Sequence, residues 1–168
     1  MPNALLAADH GVLLKRLIKG VASNVGFDAT SMAKPFAHLP GNGLHIHFSL
    51  LDQRGRNVFD DGGERGSDTL RHAIGGLAYA MKESMAILAP NANSYRRFQH
   101  GSSAPTSPAW AYNNRTTALR IPSGDGMARR VDHRVAGADA NIYLVVAAVL
   151  AAAHYGIKQR IDGITDRL

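Results

Sequence analysis

Cysteine is absent from the 168-residue chain. That excludes a disulfide framework, thiolate zinc sites and cysteine-ligated iron–sulfur clusters, and it fits a reducing compartment. Long apolar runs are also missing. The longest, Ile142 to Ala153, is well short of the roughly 20 residues that a membrane-spanning helix needs. The first ten residues, MPNALLAADH, have neither a basic region nor an extended apolar one, so no secretory signal is expected and the expected location is cytoplasmic. Acidic residues are in deficit, 13 against 19 Lys plus Arg, which gives a net charge of +6. Yet no run of five basic residues occurs, and most of the excess comes from arginines scattered between Arg96 and Arg134. Nucleic acid usually selects a dense basic tract or a known module, so neither nucleic acid nor membrane is expected as a partner. Arginine also reads carboxylate and phosphate through paired hydrogen bonds, which points to small anions.

Hydrophobic residues make up 45% and charged residues 19%, the composition of one ordinary globular domain. The spacing of Val12, Leu13, Leu17, Val21 and Val25 predicts an amphipathic helix over 8–25, stopped by Gly26. Residues 30–36 read as extended, with Pro35 at an edge or strand end. Residues 43–51 alternate cleanly, with Leu44, Ile46, Phe48 and Leu50 on one face and His45, His47 and Ser49 on the other. A Gly- and Asp-rich loop over 52–66 follows, with a short hairpin in it. Ser67 is an N-cap for a helix whose stripe runs Leu70, Ile74, Leu77, Met81, Met85 and Leu88, ended by Pro90. A long loop over 91–108 precedes three short strands, at 109–113, 117–121 and 130–135. The last helix, about 139–161, is nearly all apolar in its first half and is expected to be buried. There is no internal repeat. Strands cluster rather than alternate with helices, which predicts an α+β fold, mostly antiparallel sheet with packed helices.

Three clusters can carry chemistry. His45 and His47 share one strand face, and neutral imidazoles ligate metals; the alternative is a pair of polar residues on a solvated face. Arg130, Asp132 and Arg134 share a face of another strand, with Arg115 and Arg120 close to them in the sequence. Burying that much charge without a ligand is costly. The group therefore reads as an anion site in which Asp132 holds a metal, or as a solvated edge strand with internal ion pairs. The third cluster is Asn93-Ser94-Tyr95-Arg96-Arg97 in the long loop, which alone is an ordinary polar turn. The remaining histidines, at 10, 38, 72, 100, 133 and 154, read as surface or satisfied core residues.

Taken together these segments resemble the glutamine synthetase family. The carriers are Gly41-Asn42-Gly43-Leu44-His45-Ile46-His47-Phe48-Ser49-Leu50, Asn93 to Arg97, Asn114 to Pro122 and Arg129 to Arg134, in the family's order and spacing. Phe98-Gln99, Ala118-Leu119-Arg120 and the stretch His133 to Asn141 are most similar to the branch of γ-glutamylpolyamine (putrescine) synthetases. The resemblance covers essentially residues 1–168 and corresponds to the C-terminal portion of the family's catalytic domain.

The resemblance implies an ATP-dependent ligase that phosphorylates the γ-carboxylate of glutamate and lets an amine displace the phosphate, with Mg2+ or Mn2+ as cofactor. It implies that His45 and Asp132 are metal ligands. It gives His47, Ser49, Arg115, Arg120 and Arg130 to the nucleotide, and Gly41, Arg97 and Arg134 to glutamate. Arg97, Arg115 and Arg134 are the implied catalytic residues. Several arginines with divalent ions suit transfer between anions that otherwise repel.

Departures from the family pattern set further expectations. An N-terminal β-grasp domain and an early catalytic segment, which carries most carboxylate ligands, are missing from this sequence, so the chain by itself is expected to be inactive. Asp132 is one methylene shorter than the family's usual glutamate, which puts its reach to a metal in question. Ser103 stands where ammonia-using members have a glutamate, favouring a larger amine. Pro40 replaces an asparagine, Met127 a lysine and Ile142 a proline. The alternative from another class is a non-catalytic homologue that joins, as a homo-oligomer or with a full-length relative, and regulates a ring. A small hydrolase using His45 and His47 lacks a third ligand at suitable sequence spacing.

Overall fold

Asn3 accepts a hydrogen bond from the Leu6 amide and opens the first helix, α1 (Ala4–Asn24). The computed structural model describes residues 3–124 and 126–163. After α1 come β1 (Ile46–Phe48), α2 (Asp68–Ala80), α3 (Met85–Leu88) and α4 (Ala92–Tyr95), then β2 (Trp110–Tyr112), β3 (Leu119–Ile121), β4 (Val131–His133) and α5 (Ile142–Gln159). The four strands form one sheet in the order β1-β4-β3-β2. β4 is antiparallel to both β1 and β3, whereas β2 runs parallel to β3. The fold is α+β as expected, and the sheet is mixed with antiparallel pairs dominating.

The core lies under one face of this sheet. Leu119, Ile121 and Val131 from the strands meet Leu70, Ile74 and Leu77 of α2 and Val145 and Val149 of α5, all buried. Helices α2 and α5 cross closely because each presents glycine at the crossing. A methyl group on Gly76 would overlap the Ala152 carbonyl and the Gly156 backbone, and one on Gly156 would overlap the His72 carbonyl. Among the described residues α5 is the one helix long and apolar enough to cross a bilayer by length and composition. Its inner face, Val145, Val149, Ala152, Ala153 and Gly156, is instead packed into this core, while Leu144 on its outer face is exposed.

Several elements depart from the sequence reading. The stretch 30–36 contains no strand. The Leu70–Leu88 stripe is broken after Ala80, where residues 81–84 form a turn in which the Ser84 amide and hydroxyl both donate to the Ala80 carbonyl before α3 begins. The long loop contains α4, which opens at Asn91 with reciprocal Asn91–Ser94 capping. Helix α1 inverts its expectation. Leu13, Leu17, Val21 and Val25 are 55–64% exposed, and Ala8 alone on the helix is buried.

The chain between α1 and β1 is fixed by a side chain. The Lys34 amide donates to Asn93 Oδ1 at 2.8 Å, and Asn93 Nδ2 donates back to the Lys34 carbonyl at 2.9 Å. Lys34 is itself buried, and its ammonium donates to the Leu39 carbonyl at 2.6 Å. These bonds hold residues 34–41 beside α4 and the arginine that follows it.

Candidate functional site

The pairing of three strands builds the site. In the β1–β4 register His47 stands opposite Asp132, and in the β3–β4 register Arg120 stands opposite the same residue. One row across the sheet therefore reads His47, Asp132, Arg120 on the face away from the core. His45 and Arg134, each two residues along its chain, project to the same side by the period of two. His133, between Asp132 and Arg134, points the other way and lines a small space in the core with Leu77, Met81, Leu88 and Val149.

The Asp132 carboxylate is the centre of this cluster and its side chain is 1% exposed. Oδ1 lies 3.3 Å from His47 Nε2 and 3.6 Å from His45 Nδ1. Oδ2 lies 3.7 Å from both Arg120 Nη1 and Arg134 Nη1. Neither carboxylate oxygen has a hydrogen-bond partner, and the buried Nε atoms of Arg120 and Arg134 have none either. A buried carboxylate without donors is costly and marks a place prepared for a ligand. Ligand atoms of His45, His47 and Asp132 all lie within 4.8 Å of one another. Two donors about 2.1 Å from one ion stand about 3–4 Å apart, so the three residues fit a divalent cation.

Burial holds both imidazoles below their ordinary pKa. For His45 the opposing pull of Asp132 is outweighed, and Arg134, His47 and Arg97 push further down. For His47, Asp132 is again outweighed, and Arg130, Arg120 and Arg134 add to the lowering. Both rings are thus neutral at neutral pH, the form that offers a lone pair to a metal. Two imidazoles and one carboxylate suit Mn2+ better than Mg2+, which prefers oxygen. Burial also pushes His133 down to about 4.

A cavity of about 430 Å³ adjoins the cluster. Gly41, His45, Arg97 and Arg134 line it, together with Lys34, His38, His100 and Ser103. Among the described residues, no acidic one does. Arg97 is 5% exposed, and its Nη1 donates to the Val135 carbonyl at 3.0 Å. Glycines allow this arginine its place. A Cβ on Gly41 would stand 2.9 Å from Arg97 Cγ and 2.6 Å from the Ala33 carbonyl, and one on Gly43 would stand 3.0 Å from Arg97 Nη2.

The expected residues thus divide. Those expected for glutamate (Gly41, Arg97 and Arg134) share the cavity with His45. Those expected for nucleotide (His47, Ser49, Arg115, Arg120 and Arg130) lie outside its lining. Arg130 Nε donates to His47 Nδ1 at 3.5 Å, joining the histidine pair to the arginine set. Arg115 is exposed and touches Arg134 only through its charge. Ser49 follows directly after β1, half-buried. A larger depression of about 640 Å³, walled by Asp60, Arg65, Tyr112 and Arg129, contains none of the expected residues.

Sequence reasoning missed three things here. His47 joins His45 and Asp132, so the strand pairing brings together the third ligand that sequence spacing alone does not provide. Lys34, His38 and His100 line the cavity, whereas the sequence reads both histidines as surface or satisfied core residues. His133 is a buried imidazole whose Nδ1 has no hydrogen-bond partner, rather than a satisfied one.

The family model for the glutamine synthetase catalytic domain matches residues 1–166. The chain belongs to this family. A γ-glutamylputrescine synthetase of Escherichia coli is 49% identical over 155 residues, covering 92% of this chain and 33% of that protein. A γ-glutamylethanolamide synthetase of Streptomyces coelicolor is 44% identical over 160 residues, covering 95% and 34%. Among solved structures, ligand-free GmaS superposes with a TM-score of 0.87 at 38% identity, covering 98% of this chain and 38% of the other. The chain therefore spans about a third of the length of these glutamine synthetase relatives and matches their C-terminal part.

Proposed function

We propose that this chain is the C-terminal portion of the catalytic domain of an ATP-dependent ligase that joins glutamate to an amine through γ-glutamyl phosphate. The observation that carries the reading is the contact between the two halves of the site. The Asp132 carboxylate, without a hydrogen-bond donor, and its two neutral imidazoles adjoin a cavity whose charged lining, among the described residues, is cationic.

His45, His47 and Asp132 would hold a divalent ion, which neutralises phosphate charge when bound. Arg120 and Arg130 bind the nucleotide phosphates, and Ser49 lies on the nucleotide side. Arg97 holds a glutamate carboxylate, and the backbone at Gly41 covers it. Arg134 and Arg115 stabilise negative charge on the phosphoryl group as it moves, the preorganised electrostatics that phosphoryl transfer requires. The acceptor is an amine larger than ammonia. Ser103 offers no carboxylate to deprotonate ammonium, and the E. coli and Streptomyces relatives are a γ-glutamylputrescine synthetase and a γ-glutamylethanolamide synthetase. Such a reaction belongs to nitrogen and polyamine metabolism.

Calorimetry with ATP and Mn2+ tests the placement. Arg120→Ala and Arg130→Ala should each weaken nucleotide binding by about 1–3 kcal/mol, the scale of a charge-assisted hydrogen bond. Unchanged affinity in both variants rejects it. The chain by itself should release no phosphate from ATP with glutamate and putrescine.

A further inference from the structure

The segment 98–108 has two sides, and they face different chemistry. Its middle, Gln99 to Ala104, lines the cationic cavity beside Arg97 and Arg134. Its two roots, Phe98 and residues 105–108, line a second cavity of about 330 Å³, closed by Met81, Met85 and Val135. The alternation that begins in β4 continues past its end and divides the two, with Arg134 in one cavity and Val135 in the other. The interior of the second cavity is apolar. Met81, Pro105 and Val135 are buried, and Met85 and Phe98 are half-buried. The polar lining residues, Lys82, Thr106 and Ser107, are exposed and so sit at the mouth. An ordered water needs about two to four polar partners, and the interior side chains offer none. The volume falls at the lower end of small-molecule sites, roughly 300–1,000 Å³, and is about twice that of an apolar cavity that takes benzene. Methionine adapts its shape to what it meets, so two of them suit a site filled by a ligand.

Charge at the mouth has one sign. Lys82 is the one charged residue in the lining, and among the described residues its ammonium has neither an ion pair nor a hydrogen bond. We propose that this cavity is a binding site for a small amphipathic carboxylate, an apolar body of about one ring with one anionic end. The body lies between Met81, Met85 and Phe98, and the carboxylate sits beside Lys82. An amine would meet a like charge at the mouth, and a hydrocarbon would leave Lys82 unpaired. Touching Phe98 and Pro105 at once, the ligand ties together both roots of the 99–104 stretch and steadies that wall of the cationic cavity. The two cavities share no lining residue, so the inference does not rest on the ligase reading.

Titration of the methyl-labelled chain with phenylbutyrate tests this by NMR. Of the five methionines, Met81 and Met85 should show saturable methyl shifts, while exposed Met32 and Met127 should not move. Phenylbutanol, the same body without the charge, should bind about two- to fivefold more weakly, the scale of an exposed ion pair. In Lys82→Gln the two probes should bind alike. Val135→Phe fills the cavity from its buried side and should abolish saturation. Lys82→Gln, at an exposed position, keeps the test valid if that variant fails to fold. The Ser102 amide donates to the Gln99 carbonyl at 3.0 Å and the Ala104 amide to Ser102 Oγ at 3.3 Å, and both should exchange more slowly with phenylbutyrate bound. The site is overturned by no saturable shift at Met81 and Met85, by equal shifts at Met32 or Met127, by phenylbutanol binding as tightly as phenylbutyrate, or by Lys82→Gln without effect. Unchanged exchange at residues 102 and 104 overturns the link to the neighbouring cavity.

Discussion

Asp132 faces His47 directly across the β1–β4 pair, 3.3 Å from its Nε2, and faces Arg120 across β3–β4 on its other side. One carboxylate, itself expected to hold metal, thus joins two residues expected to serve the nucleotide, and it also reaches His45 at 3.6 Å. It also shows that the shorter side chain of aspartate is within range of both imidazoles.

Mn2+ binding should therefore need all three residues. His45→Ala, His47→Ala and Asp132→Ala should each weaken it by about tenfold or more, at least the effect of removing an outer-shell partner. Asp132→Glu should bring no gain, because reach is not limiting. Paramagnetic broadening of the imidazole resonances measures this, and a His47→Ala variant that binds as before would show that the third ligand is not used.

Proton competition should set in late. Metal and proton compete for the same imidazole lone pairs, and both rings titrate below their ordinary 6.5. Mn2+ affinity should stay level from pH 8 down through 6.5 and fall only below it. A midpoint at or above 6.5 in a pH series of the same titration would count against the lowered values.

His133 should make stability depend on pH. It is neutral in the fold down to about 4, whereas in the unfolded chain it takes up a proton near 6.5. The unfolded state thus binds more protons between these values, so stability is whole above 6.5 and declines as pH falls towards 4, by about 3 kcal/mol across the window. Urea unfolding at pH 7 and pH 5 should show the decline, and His133→Asn should reduce the slope. Equal slopes in the two proteins would assign the decline to other groups.

Glycine substitutions should separate two kinds of crowding. Gly41→Ala presses on both the Ala33 carbonyl and Arg97 Cγ, and should cost about 1–3 kcal/mol. Gly43→Ala meets the far end of the Arg97 guanidinium, which can yield, and should cost less. Gly156→Ala forces two helix backbones apart and should cost the most. Denaturation midpoints in that order support the packing; Gly43→Ala as the worst would contradict it.

What the sequence made legible is what local pattern encodes. Alternation at 44–50 placed His45 and His47 on one face, and the Ser67 cap appears as read, accepting from the Leu70 amide at 3.3 Å. Tertiary choices were not legible. No periodicity announces that β2 runs parallel to β3, that β4 inserts between β1 and β3, or that Asp132 completes a triad with two histidines 85 and 87 residues earlier. The apolar stripe of α1 was visible, but the pattern does not say whether a stripe meets its own core or another polypeptide. The turn over residues 81–84 before α3 is likewise invisible to hydrophobic spacing, because the apolar stripe continues through it to Leu88.

The two hydrogen bonds between Lys34 and Asn93 amount to one rung of a ladder in a stretch that has no strand. A side-chain amide imitates a neighbouring peptide, donating and accepting at once. The covering segment is therefore already ordered in the free protein, and a ligand entering the cavity has little chain entropy to remove. Slow solvent exchange of the Lys34 amide, lost in Asn93→Ala, would be its signature.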